Sequence, residues 1–144
     1  TIGTLDGANV EIREQVGAEN FFLFGLTAEE AIRQREIQNQ SATAIEASEL
    51  LKIVLQLIAE GRFSPDQPDR YHGLLHRIWH HDYFLVADDF AAFHAEQRRV
   101  DAAYADRDGW VKMAALNTAR SGFFSSDRTI RSYMDDIWGV TPAL

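Results

Sequence analysis

Asn20-Phe21-Phe22-Leu23-Phe24-Gly25 places four consecutive apolar residues between Asn and Gly. A short apolar run without alternation suits a strand buried on both faces, as in a parallel sheet. Such a strand needs neighbours. Residues 1–5 are the other strand-compatible segment, with β-branched Ile2 and Thr4. Asp6-Gly7 is a turn pair. Ala8–Val16 then carries Val10, Ile12 and Val16 among Glu11, Arg13 and Glu14, which predicts a short helix ended by Gly17. Strand, helix and strand in so short a span form a compact βαβ unit. Two strands do not make an independent sheet. The chain therefore reads as α/β in class and as part of a larger domain, with its opening residues drawn from the middle of a protein.

The remainder predicts helices. Thr27 with Glu30 is a capping box and should open a helix to about Glu36. Residues 34–43 are polar and read as loop or frayed helix. Residues 44–60 carry Ile45, Leu50, Leu51, Val54, Leu55 and Ile58 at helical spacing, and Gly61 stops them. Residues 63–69 hold Pro65 and Pro68 and should be irregular. Residues 71–81 read as helix with Leu74, Leu75, Ile78 and Trp79 inward. An extended connector over 82–87 leads to Asp88, expected to cap a long helix through Asp106. A helix over 110–121 ends at Gly122. Ser125-Ser126-Asp127 opens the last helix, whose stripe is Ile130, Tyr133, Met134, Ile137 and Trp138. Gly139 closes it and Pro142 prevents continuation. This makes two short strands and about seven helices.

Composition narrows the function. The formal net charge of −8 and pI near 5.0 oppose binding to nucleic acid or an anionic membrane, which both need a basic patch. Cys is absent, which removes disulfides, thiol nucleophiles and Cys-ligated metals. The strongest apolar stretch, residues 50–59, is interrupted by Lys52 and Gln56, so no membrane span is expected. The start lacks the basic and apolar regions of a signal peptide. A cytoplasmic location is the expectation.

Candidate chemistry is sparse. Gly3-Thr4-Leu5-Asp6-Gly7-Ala8-Asn9 is a strand–turn–helix junction whose N–H groups could face an anion, but Asp6 would repel it. His72, His76 and His80 lie four apart; His76 with His80 has the spacing of a two-His metal clamp, with Asp82 nearby. The competing reading, partly exposed polar residues flanking Leu75 and Trp79, is adopted. Asn39-Gln40-Ser41 fits a glycosylation sequon and is read as chance. Glu11 and Asp6 are a conceivable acid/base pair without any sign of a raised pKa. Ser125 and Ser126 have no evident base and suit helix capping. No complete catalytic constellation emerges.

The motifs carry a resemblance. Thr1-Ile2-Gly3-Thr4-Leu5-Asp6-Gly7-Ala8-Asn9-Val10-Glu11-Ile12 resembles a signature of the α-glucan (glycogen, starch and maltodextrin) phosphorylases. So do Glu19-Asn20-Phe21-Phe22-Leu23-Phe24-Gly25, Gly61-Arg62-Phe63-Ser64-Pro65 and His81-Asp82-Tyr83-Phe84-Leu85-Val86-Ala87-Asp88. The same holds for Asn117-Thr118-Ala119-Arg120-Ser121-Gly122-Phe123-Phe124-Ser125-Ser126-Asp127-Arg128-Thr129-Ile130 and for Ile137-Trp138-Gly139. The pattern is weakest over residues 33–48.

The resemblance implies a Rossmann-like glycosyltransferase fold of the GT-B type. It implies a cytosolic homodimer that cleaves terminal α-1,4-glucosidic bonds with inorganic phosphate, giving glucose 1-phosphate. Pyridoxal phosphate would sit as a Schiff base on a lysine, its 5′-phosphate exchanging protons with the substrate phosphate. That lysine belongs to a Gly-Thr-Gly-Asn-x-Lys motif expected just before the position of Thr1. The two lysines present, Lys52 and Lys112, lie outside any such motif. The expectation is that residues 1–144 form the C-terminal portion of the C-terminal, cofactor-binding domain, an incomplete domain. They would supply scaffold, with no catalytic, cofactor-binding or metal residue and no cofactor of their own. The last helix resembles the family's terminal element, which packs back toward the other domain. Such a piece should be inactive and should self-associate through its unpaired strands. The alternative is a stand-alone, non-catalytic helical interaction module derived from a truncated phosphorylase.

Overall fold

The computed structural model describes residues 1–141. Strand β1 (Ile2–Gly3) is followed by α1 (Ala8–Val16), a 3-10 turn (Ala18–Asn20) and β2 (Phe22–Leu23). Helices α2 (Ala28–Arg35), α3 (Gln40–Ala47), α4 (Glu49–Ala59), α5 (His72–His80), α6 (Val86–Ala105), α7 (Arg107–Arg120) and α8 (Ser126–Ser132) follow. A 3-10 turn (Ser121–Phe124) joins α7 to α8, and α8 runs on as a π-helical turn (Tyr133–Trp138).

The two strands pair in parallel, Ile2 opposite Phe22 and Gly3 opposite Leu23. The Phe22 N–H donates to the Thr1 carbonyl at 2.8 Å and the Phe24 N–H to the Gly3 carbonyl at 3.2 Å. This is the expected strand–helix–strand unit, with two-residue strands and no third strand among the described residues.

Several expected helix boundaries move for identifiable reasons. The single helix expected over 44–60 is two, so the described residues hold eight α-helices. Ser48 breaks the run: it is extended (φ −119°, ψ 101°) and its Oγ accepts the Leu51 N–H at 3.2 Å. Serine competes with helical hydrogen bonding in a helix interior and is favoured as an N-cap. The polar stretch expected as loop supplies the first turn of α3. Asp88 is not the cap of α6. The helix begins at Val86, and Asp82 Oδ2 accepts the Ala87 N–H at 2.8 Å from five residues upstream. Between them Leu85 takes the left-handed region (φ 56°) while its side chain is buried. That conformation costs about 1–2 kcal/mol for a non-glycine residue, comparable to what burying a leucine side chain contributes. Helix α7 starts at Arg107, three residues earlier than expected, because Asp106 caps it through the Gly109 N–H.

The core lies among α3, α4, α5 and α6. Ile45, Leu51, Leu55, Leu75 and Ala87 are buried together, with Ile58, Ile78, Trp79 and Phe90 packed around them. Leu74, expected inward, is half exposed: it lies about 40° beyond Ile78, outside the arc of about 100° that Ile78, Leu75 and Trp79 span. Besides Ala87, the buried residue of α6 is Glu96, whose two carboxylate oxygens accept from Arg99 Nη1 at 2.8 Å each. Phe93 lies at the rim and meets Phe24 edge-on, ring centroids 5.2 Å apart. Val16, Phe21 and Phe22 are buried apart from that cluster, and Phe22 stacks on Trp110 of α7. No described residue of α7 or α8 is buried.

Candidate functional site at the carboxyl end of the strand pair

In open parallel sheets the crevice outside the carboxyl ends of the strands is where ligands bind. Here β1 leads into Thr4-Leu5-Asp6-Gly7 and β2 into Phe24-Gly25-Leu26. The space between these two turns and α6 is a cavity of about 240 Å³, lined by Thr4, Asp6, Leu26, Arg35, Phe84 and Asp89 among others.

Local chemistry fixes each wall. Thr4 Oγ1 donates to Asp6 Oδ1 at 2.9 Å, and the Asn9 N–H donates to the Asp6 carbonyl at 3.0 Å, setting the turn into α1. Asp89 Oδ1 accepts the Leu26 N–H at 2.8 Å. Gly25 has φ +83°, and a Cβ there would run into the Asp89 carboxylate, so this approach requires glycine. Gln34 Nε2 donates to Asp88 Oδ1 at 2.6 Å, while Asp88 Oδ2 is buried without a partner. Arg35 donates from Nε to the Tyr83 carbonyl at 3.1 Å and lies over the Tyr83 ring at 4.7 Å.

The electrostatics are anionic. Burial pushes the Asp89 carboxyl above the ordinary aspartate value; the Leu26 N–H opposes this, and the charges of Asp88, Asp6 and Asp82 add to it. Burial likewise raises Asp88, against the Gln34 hydrogen bond and with the Asp82 charge. Carboxylates in this arrangement accept from N–H and O–H donors and repel phosphate. The junction is a splice between strands and helices, and Asp89 and Arg35 direct their polar atoms to the backbone of Leu26 and Tyr83.

The sequence candidates fall in separate places. Asp6 lines this cavity, whereas Glu11 lines another, between α1 and α7, with Ile12, Val16 and Asn117; they form no pair. Ser125 Oγ accepts the Arg128 N–H at 3.3 Å and caps α8, and Ser126 is the first helical residue. Ser41, the third residue of the sequon, is buried and donates to the Trp79 carbonyl at 3.0 Å, which ties α3 to α5. The rings of His76 and His80 are 4.8 Å apart, those of His76 and His81 5.8 Å. Asp82 is occupied at the start of α6. Among the described residues no group of three or more histidine or carboxylate side chains is placed to hold a metal ion.

Lys52 does not suit a Schiff base, which requires an amine readily deprotonated. Lys52 Nζ lies 2.5 Å from Glu49 and 3.7 Å from Glu46, and the Glu49 hydrogen bond raises its pKa. Lys112 is exposed on α7.

Residues quoted above only within a motif turn out to hold the pieces together. Asn117 Nδ2 donates to the Asn20 carbonyl at 3.1 Å, and Arg120 Nη1 donates to the Val16 carbonyl at 2.5 Å. An asparagine in a helix interior with no cap to form was the available signal.

The parallel pair, its crossover helix and a crevice at the strand ends define an α/β protein built on an open parallel sheet. Comparison with known proteins makes this specific. The sequence profile of the carbohydrate phosphorylase family matches residues 1–140. The chain is 44% identical over 142 residues to a glycogen phosphorylase of Haemophilus influenzae. It is 47% identical over 144 residues to one of Synechocystis, and 41% identical over 143 residues to the muscle form from Oryctolagus cuniculus. These alignments cover 99%, 100% and 99% of this chain and 17% of each relative. The chain belongs to the carbohydrate phosphorylase family and spans about a sixth of the length of these relatives.

Proposed function

We propose that this chain is the C-terminal portion of the cofactor-binding domain of an α-glucan phosphorylase. The whole protein cleaves terminal α-1,4-glucosidic bonds of an α-glucan with inorganic phosphate and releases glucose 1-phosphate. It does so in the cytoplasm, as a homodimer, with pyridoxal phosphate carried by a lysine outside these residues. The cofactor supplies proton exchange with the substrate phosphate. The residues described here hold strands and helices in place around that chemistry and touch none of the reacting atoms. The observation that carries this reading is the family match along residues 1–140 at 41–47% identity to relatives six times longer. The anionic, backbone-serving crevice supports the scaffold role.

The test replaces the matching segment of the Haemophilus influenzae glycogen phosphorylase with this chain. The chimera should phosphorolyse glycogen, and the isolated chain should form no glucose 1-phosphate and retain no cofactor absorbance. A folded but inactive chimera, or turnover by the isolated chain, overturns the proposal.

A further inference from the structure

Helix α5 ends in Trp79-His80-His81, and His76 lies one turn before His80. All three imidazoles are exposed, and the rings of His76 and His80 are 4.8 Å apart at an interplanar angle of 56°. A metal–nitrogen bond of about 2.0–2.1 Å, extended by about 1.1 Å to the ring centre, separates two neighbouring imidazole ligands on one ion by about 5 Å. The observed spacing matches that geometry without a backbone change. The site occupies the last turn of α5, where unpaired helical carbonyls favour positive charge. The His81 ring is farther off, 5.8 Å from His76, and among the described residues no third side chain joins the pair.

We propose that His76 and His80 form a surface chelate for a borderline transition-metal dication, of the class of Zn²⁺, Ni²⁺ or Cu²⁺, with water in the remaining positions. Imidazole nitrogen selects these ions over Mg²⁺ and Ca²⁺, which prefer oxygen ligands. Two protein ligands, rather than the three or four of a dedicated site, set the affinity in the micromolar range. Protons compete for the same nitrogens, so affinity falls as the solution is acidified. Binding bridges one turn of α5 and so stabilises the end of that helix.

Zn²⁺ titration calorimetry on the full 144-residue chain, with circular dichroism as a check of folding, tests this. One ion should bind per chain. His76→Ala and His80→Ala should each weaken binding by at least about tenfold. His72→Ala, one turn earlier, should leave it unchanged, and Mg²⁺ should give no signal. Zn²⁺ should raise the melting temperature of the native chain and not that of His80→Ala. If the isolated chain does not fold, the same variants are compared in the chimera described above. Equal affinity in the native, His76→Ala and His80→Ala proteins, or no binding up to millimolar Zn²⁺, overturns the proposal.

Discussion

The side-chain amide of Asn117 donates to the carbonyl of Asn20 across 97 positions of sequence, at 3.1 Å. A second hydrogen bond, from Arg120 to the Val16 carbonyl, lies one turn along the same helix. The two carbonyls lie at the end of α1 and in the 3-10 turn that leads to β2. Since α7 has no buried side chain among the described residues, these polar contacts and the Phe22–Trp110 stack do much of the work of holding it.

Asn117→Ala should therefore destabilise the chain by about 1–3 kcal/mol, the cost of leaving a part-buried carbonyl without its donor. Hydrogen exchange should accelerate in β2 and α7 before it does in α4. An unchanged urea midpoint would refute the clamp.

Ile45 is fully buried at the centre of the main core, and Leu74 is half exposed at its edge. Ile45→Ala should cost about 2–5 kcal/mol, from lost burial and the cavity left behind. Leu74→Ala should stay within about 0.5 kcal/mol. Denaturant unfolding of the two variants side by side decides whether the core is centred on α3.

Burial raises Asp88 and Asp89 in the folded chain, so folding favours their protonated forms. A carboxyl raised on folding contributes stability below its unfolded value, and that contribution is lost as pH rises through the folded value. The window therefore opens near the ordinary aspartate value of 3.8 and extends upward. Asp88→Asn keeps an acceptor for Gln34 and removes the charge. Its stability advantage should grow across that window and then level off, remaining below about 1 kcal/mol because both groups are partly solvated. Urea midpoints of the two proteins measured from acid to neutral pH give the comparison. An advantage that shrinks with rising pH would reverse the assignment.

Ile137 and Trp138 are 68% and 54% exposed on the final turn, close to the exposed Tyr133 and Val140. The isolated chain should associate with rising concentration in sedimentation velocity. Ile137→Ser with Trp138→Ser should reduce that association. Equal sedimentation of both at all concentrations would exclude this surface.

What could be read from the residues was local. Thr27 with Glu30 forms both halves of its capping box, with Glu30 held below the usual carboxylate range by the Thr27 backbone and hydroxyl donors. Ser125 caps α8, and Gly139 takes the left-handed conformation that closes the last turn. The parallel pairing of β1 and β2 followed from an apolar run that does not alternate. What escaped depended on distant partners. Asp88 has the better spacing to cap a helix, yet Asp82 prevails because burying Leu85 turns the chain back upon it. Glu96 is buried on α6, its charge met by Arg99. The crevice shared by Asp6 and Asp89 joins residues that no spacing rule links.

The contacts from α7 back to the first strands also set an order of events during synthesis. Residues 1–24 emerge from the ribosome ahead of Trp110, Asn117 and Arg120, which follow about a hundred residues later. At about 5–20 residues per second, the nascent strand pair spends several seconds or more without its covering helix. Closure of the opening segment is thus a late, long-loop step. The aromatic run after Asn20 is the stretch a chaperone would meet while it waits.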